Sequence, residues 1–345
     1  MKELTKREKI INTLEGKKTG YIPVIPSATT FALARSPHSP EDCKKDSRKF
    51  ADAMVSARKE FNYDGLWAGL FQGVTSFLGG GLIDKHGKKS VSGNGTVRQP
   101  EDMKKLRPFH VDLCEALHHI MENIALLKKL EPAEPVLVIV DNPSMVAAAL
   151  MDEENYYFNL IKNPAFIRDL TELVFDPLLL CVKKIIEAGA DIIWLPLPSI
   201  GGTCISRQHY ETFCMPYNKR FNEAIIAQGA HLIVHTCGNW NDRFDLVTTE
   251  GAHCLHVSQA DLGELKKNYG KKVALMGQVP SISVMMLGDA DLVLKTGIQD
   301  CLQGAENGGF ILSADCGLPG KTPEENIRAL VRAAREAEQL LSGKC

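Results

Sequence analysis

The chain has 345 residues, 44% of them hydrophobic and 24% charged, with a formal net charge of −2. That is ordinary globular composition, with chain enough to bury a substantial core. The near-neutral balance gives no electrostatic reason to expect nucleic acid or an anionic membrane as a partner.

The opening MKELTKREKIINTLEG is charged and helical, without the apolar centre of a signal peptide, and ends naturally at Gly16. Short β-rich apolar runs then alternate with longer helical patterns. The runs are YIPVIPS (21–27), DGLWAGL (64–70), PVLVIVD (135–141) and DIIWLPLP (191–198), then HLIVHT (231–236), HCLHVS (253–258), VALMGQV (273–279) and GFILSAD (309–315). Several are continuously apolar, as strands covered on both faces must be. The last helix, in TPEENIRALVRAAREAEQLL, offers Thr322 as N-cap, with Pro323 at the first helical position and Glu325 for a capping box.

Eight strands alternating with helices predict an α/β fold, a (β/α)8 TIM barrel formed as a single domain over residues 1–345. Residues 79–99, GGGLIDKHGKKSVSGNGTVRQ, break the pattern and read as a small loop or hairpin inserted after the second strand. A doubly wound open sheet is the alternative, but the chain carries no glycine fingerprint for a dinucleotide. No apolar run is long enough to span a bilayer. The ten cysteines are scattered without an export signal, so the expected setting is the cytoplasm, with reduced thiols.

In such a barrel the active site lies at the C-terminal ends of the strands. VHTCGN (234–239) places His235 and Cys237 at the end of the fifth run, two residues apart and so on the same side. Cys316 follows the eighth run. One imidazole and two thiolates suit zinc and leave one tetrahedral position open, the pattern of a catalytic site. The bland reading of the same residues is a packing cysteine and a hydrogen-bonded histidine, and spacing alone leaves both standing. Asp141, Asn239, Gln259 and Gln278, at or near other strand ends, are candidates for holding substrate.

These stretches resemble the uroporphyrinogen decarboxylase superfamily and, within it, the branch of zinc-dependent corrinoid methyltransferases. The likeness begins in REKIINTLEGKKTGYIPV and continues through IIEAGADIIWLPLP, VHTCGN and GGFILSADCGLPGKTPEENIRAL. It implies the barrel, and it implies His235, Cys237 and Cys316 as zinc ligands. The implied activity moves a methyl group between a corrinoid and a small thiol or other methyl donor or acceptor. The corrinoid would be methylcobalamin itself or a corrinoid protein docking at the barrel mouth. The implied role of the metal is to hold a thiol as its nucleophilic thiolate.

The chain also departs from its relatives. The decarboxylases carry an arginine-rich loop after the first strand, where PVIPSATTFALARS has the single Arg35. Acidic residues of the methyltransferase branch are replaced by Leu197 and by Ser258–Gln259, which makes Gln259 a neutral candidate for the fourth zinc position. Asp84-x-His86 in DKHGKK approaches a cobalt-ligating motif, but Lys89 stands where glycine is required, and a surface turn is expected there. The alternatives are a cofactor-free decarboxylase of the parent family and a non-catalytic corrinoid-binding protein.

Overall fold

The computed structural model describes residues 4–79 and 96–343. Seven parallel strands form one sheet in chain order: β1 (Leu66–Phe71), β2 (Val136–Val140), β3 (Ile192–Pro196), β4 (His231–Thr236), β5 (Cys254–Val257), β6 (Ala274–Val279) and β7 (Phe310–Ala314). Helices follow the strands, so the architecture is α/β and TIM-barrel-like. None of the described helices is long and apolar enough to cross a membrane.

Among the described residues the eight expected strands are thus seven, and the difference lies at 21–27. This segment makes only a single parallel bridge, Val24 to Leu312. Ile25 N–H donates to the Leu312 carbonyl (3.0 Å), and Leu312 N–H to the Pro23 carbonyl (2.8 Å). On its other side, Asp64 N–H donates to the Val24 carbonyl (2.7 Å), so the segment joins β7 to the residues that lead into β1. Pro23 and Pro26 have no N–H to offer, which stops the ladder at one bridge.

The expected insertion at 79–99 lies mostly outside the described residues, as does DKHGKK. At its ends, the Thr96 hydroxyl donates to the Gly79 carbonyl (2.6 Å).

The alternation of side chains along each strand makes two cores. Trp67, Leu137, Ile192, Trp194, Ile233, Cys254, Met276 and Ile311 point inward and pack together, joined by Ile10 and Leu14 of the first helix. The intervening residues, such as Val138, Leu232, Leu255 and Leu312, pack outward against the helices. Burial on both faces explains the continuous apolar runs.

The helix Lys6–Leu14 begins with a capping box between Thr5 and Glu8 that the sequence reading passed over. Its end is as expected, with Gly16 in the left-handed region (φ 75°). The last helix, Glu324–Ser342, starts later than expected: Pro323, not Thr322, occupies the N-cap and no side chain caps it. The Thr322 hydroxyl is buried without a hydrogen-bond partner, while the Thr322 carbonyl accepts from Arg35 Nη2 (2.6 Å).

Candidate metal centre

His235, like Ile233 two residues earlier, lies on the inner face of β4. Cys237 follows the strand end, where Gly238 in the left-handed region (φ 79°) turns the chain away. Cys316 lies two residues beyond the end of β7. The imidazole nitrogen and the two sulfurs lie within 4.8 Å of one another. Among the described residues, no carboxylate joins them within that distance.

The His235 tautomer follows from its partner. Nδ1 lies 3.2 Å from the His256 carbonyl, which can only accept, so Nδ1 carries the proton. Nε2 therefore presents its lone pair, and it is buried with no hydrogen-bond partner. A buried acceptor left empty costs roughly 1–3 kcal/mol. A backbone carbonyl on one ring nitrogen and an available lone pair on the other is the arrangement of a metal-ligating histidine. Trp194 stacks on the same ring, with centroids 4.7 Å apart and planes 16° from parallel.

The thiols are electrostatically coupled. The Cys237 thiol holds Cys316 well below the ordinary thiol range, to about 4. Cys316 in turn pushes Cys237 upward, with burial and Asp315 adding to the effect. One thiolate forms readily and the second is resisted; a dication would relieve that resistance. Both cysteines are only half-buried, so the cluster meets solvent on the thiol side. Behind Cys237, the indole N–H of the buried Trp240 donates to the Cys237 carbonyl (3.0 Å). Gly201 packs on that indole so closely that a Cβ would lie 2.8 Å from Nε1. Asp315 accepts from Ser281 N–H (2.8 Å) and faces the Ser258 hydroxyl (3.5 Å).

The four candidate substrate residues fall at the same ends of the strands with different partners. Asp141 is buried after β2, and its carboxylate accepts from Gln72 Nε2 (3.3 Å). Asn239 is exposed, its side chain accepting from Asn241 N–H (3.0 Å). Gln259 is exposed in the left-handed region (φ 52°), and its carbonyl takes Asn241 Nδ2 (3.4 Å). The Gln278 amide is paired at both ends with the backbone of Ala260, accepting at 3.2 Å and donating at 2.6 Å.

Trp194, Trp240, His256 and Asp315 are additional groups at the site, beyond the residues expected from the sequence. His256 left a usable signal: in HCLHVS it shares the inward parity of Cys254 near a strand end.

The chain is 25% identical to a methylated-thiol–coenzyme M methyltransferase of Methanosarcina mazei over 61% of its own length, spanning 56% of that relative. It is 22% identical to the methylcobamide:CoM methyltransferase MtbA of Methanosarcina acetivorans over 69% of both chains. A uroporphyrinogen decarboxylase of Crocosphaera subtropica is 26% identical over 71% of this chain and 70% of its own. Among solved structures, a methyltransferase from Methanosarcina mazei superposes with a TM-score of 0.81 at 20% identity, covering 97% of this chain and 99% of that one. The family model for uroporphyrinogen decarboxylase (URO-D) matches residues 5–337, and the chain belongs to that family.

Proposed function

We propose that the chain is a zinc-dependent methyltransferase, moving a methyl group between a corrinoid and a small thiol or other methyl donor or acceptor. The observation that carries this reading is the buried, unpartnered Nε2 of His235 gathered with two thiols. His235 Nε2, Cys237 Sγ and Cys316 Sγ would hold the metal. When bound, zinc lowers the pKa of a coordinated thiol and presents it as a thiolate at neutral pH.

The chain's own groups support that chemistry. The His256 carbonyl keeps the His235 proton on Nδ1. Trp194 covers one face of that imidazole and excludes water from it. Asp315 adds negative charge beside Cys237, which favours a cationic occupant of the cluster. Methyltransferases among the relatives named above support the same class of reaction, one of them named for methylcobamide and CoM.

The corrinoid, free or on a partner protein, would approach at the C-terminal ends of the strands. Asp141, Asn239, Gln259 and Gln278 remain the proposed contacts to the small molecule. The proposal has one barrel domain acting in the cytoplasm, without nucleic acid or membrane.

A decarboxylase reading has its own support in the similarity to a uroporphyrinogen decarboxylase. Against it, a polycarboxylate substrate needs several free cations, and Arg35 is already committed. Its guanidinium donates to the carbonyls of Gly320 (3.0 Å) and Thr322 (2.6 Å), pairs with Glu324 (3.3 Å) and stacks on Phe31 (3.8 Å).

The test is metal content followed by turnover. Purified protein is expected to hold about one zinc per chain, and to consume methylcobalamin in the presence of a thiol from a panel that includes CoM. Carbon dioxide release from a porphyrinogen, undiminished in Cys316→Ala, would overturn the proposal in favour of the decarboxylase.

A further inference from the structure

We infer that His256 is a positioning residue that sets the spacing between the two halves of the metal-binding set; this rests on the reading of His235, Cys237 and Cys316 as ligands. The halves come from strands that do not touch. His235 and Cys237 belong to β4 and its end, Cys316 follows β7, and β5 and β6 lie between them. Backbone pairing therefore relates the ligands only through two intervening strands, each with its own freedom to shift. A side chain crossing the inside of the sheet would fix the distance directly.

His256 makes that crossing. It is fully buried on the inner side of β5. Its Nε2 lies 2.7 Å from the carbonyl of Ala314, the last residue of β7 and two residues before Cys316. Because a carbonyl only accepts, Nε2 carries the proton and donates. In the other direction, the His256 carbonyl accepts from His235 Nδ1 (3.2 Å) and from the Thr236 hydroxyl (3.1 Å). The two imidazole rings also lie against each other, with centroids 4.5 Å apart. One residue thus holds the histidine ligand through its backbone and ring, and the strand end that carries the distant cysteine through its side chain. His256 is not part of the cluster of candidate donors itself, so its effect on a metal would be exerted through the groups it holds.

The experiment compares wild type, His256→Leu and His256→Gln for zinc affinity, by chelator competition, and for the absorption spectrum of the Co2+-substituted protein. Glutamine can direct an amide N–H at the same carbonyl; leucine fills space without it. The Leu variant is expected to bind zinc about 10–100-fold more weakly, the range for losing a group that orients a ligand, with altered thiolate-to-cobalt and ligand-field bands. The Gln variant is expected to recover most of the affinity and the wild-type spectrum.

Equal affinity and an unchanged spectrum in the Leu variant would overturn the inference while leaving the metal site intact. Equal losses in both variants would also overturn it, reducing His256 to packing. Wild type that binds no zinc would overturn the metal reading and this inference together. Should the Leu variant fail to fold, 15N NMR of the wild-type imidazoles decides: a protected Nε2–H on His256 supports the assignment, and an Nδ1–H tautomer overturns it.

Discussion

The two ends of the sheet treat their polar groups in opposite ways. At the N-terminal end, three buried acids precede successive strands, and each reaches back to a backbone N–H of the preceding extended segment. Asp64 accepts from Val24 N–H (2.8 Å) and pairs with Lys6 (2.6 Å); Glu134 accepts from Gly65 N–H (3.0 Å) and pairs with Arg58. Asp191 accepts from Val136 N–H (2.8 Å) and pairs with Arg7 and Lys128. Each of these three carboxylates has both a cation and a backbone hydrogen bond, which is how burial of a carboxylate is made tolerable. At the C-terminal end, His235 Nε2, His256 Nδ1 and Trp194 Nε1 are buried without partners, beside two thiols competing over ionisation. The paired carboxylates hold the strands in place at one end; the bare Nε2 of His235 beside two thiols is poised to bind something at the other.

Substitutions that separate the two ends should differ in kind. The largest effect is expected from Cys237→Ala or Cys316→Ala. Zinc should fall from about one per chain to a small fraction, with loss of methyl transfer, because two remaining donors seldom retain the metal. Unfolding in the presence of chelator should stay within about 1 kcal/mol of wild type, since neither thiol is deeply buried. Elemental analysis and urea titration read the two quantities separately.

Asp191→Ala should do the reverse. Removing the carboxylate leaves the buried Val136 N–H without an acceptor and takes a partner from the part-exposed Arg7 and Lys128, at a cost of about 1–3 kcal/mol. Zinc per folded chain should not change; a parallel loss of zinc would break the separation between the ends.

Glu250 provides an intermediate case, a fully buried acid receiving a hydrogen bond from Tyr210 with no cation paired to it among the described residues. Burial raises its pKa from 4.5 to about 8. The folded chain therefore binds more protons than the unfolded chain between those values, and stability must fall as pH rises from about 4.5 to about 8. Glu250→Gln keeps an acceptor for Tyr210 without the charge, so its stability should lose that slope and exceed wild type at pH 8. Urea midpoints across the range would show it, and an unchanged slope would refute the assignment.

The smallest effect is expected at Thr322, whose buried hydroxyl is also unpartnered but belongs to the turn before the last helix. Thr322→Val should be neutral or stabilising by up to about 1 kcal/mol, with zinc content unchanged. A large loss of either would mean that an unpartnered group there serves something not yet identified.

Much of the fold was legible because its causes are local. Burial on both faces demands apolar runs, and seven of the eight runs coincide with the seven strands, β1 extending one residue past its run to Phe71. The run at 21–27 departs from the pattern because its apolar character promises a strand while its prolines withhold the N–H groups a ladder needs. Thr322 is misplaced by one position because TPEE matches a capping box with Thr322 at the N-cap, whereas the helix starts at Glu324 and leaves its N-cap, Pro323, without a side-chain bond. At the site, His235, Cys237 and Cys316 stood out by residue type and by their place after apolar runs. Trp194 and Trp240 looked like any core aromatic, and Asp315 like any turn acid.

The sequence by itself determined the alternation of strands and helices and the three donors that converge at the strand ends, since periodicity and side-chain chemistry are written residue by residue. Only the tertiary structure decided that one histidine would present a bare Nε2 and that a second would span from β4 to β7. Those properties depend on which carbonyl lies opposite each ring nitrogen, and that is set by the curvature of the sheet bringing residues 235, 256 and 314 together.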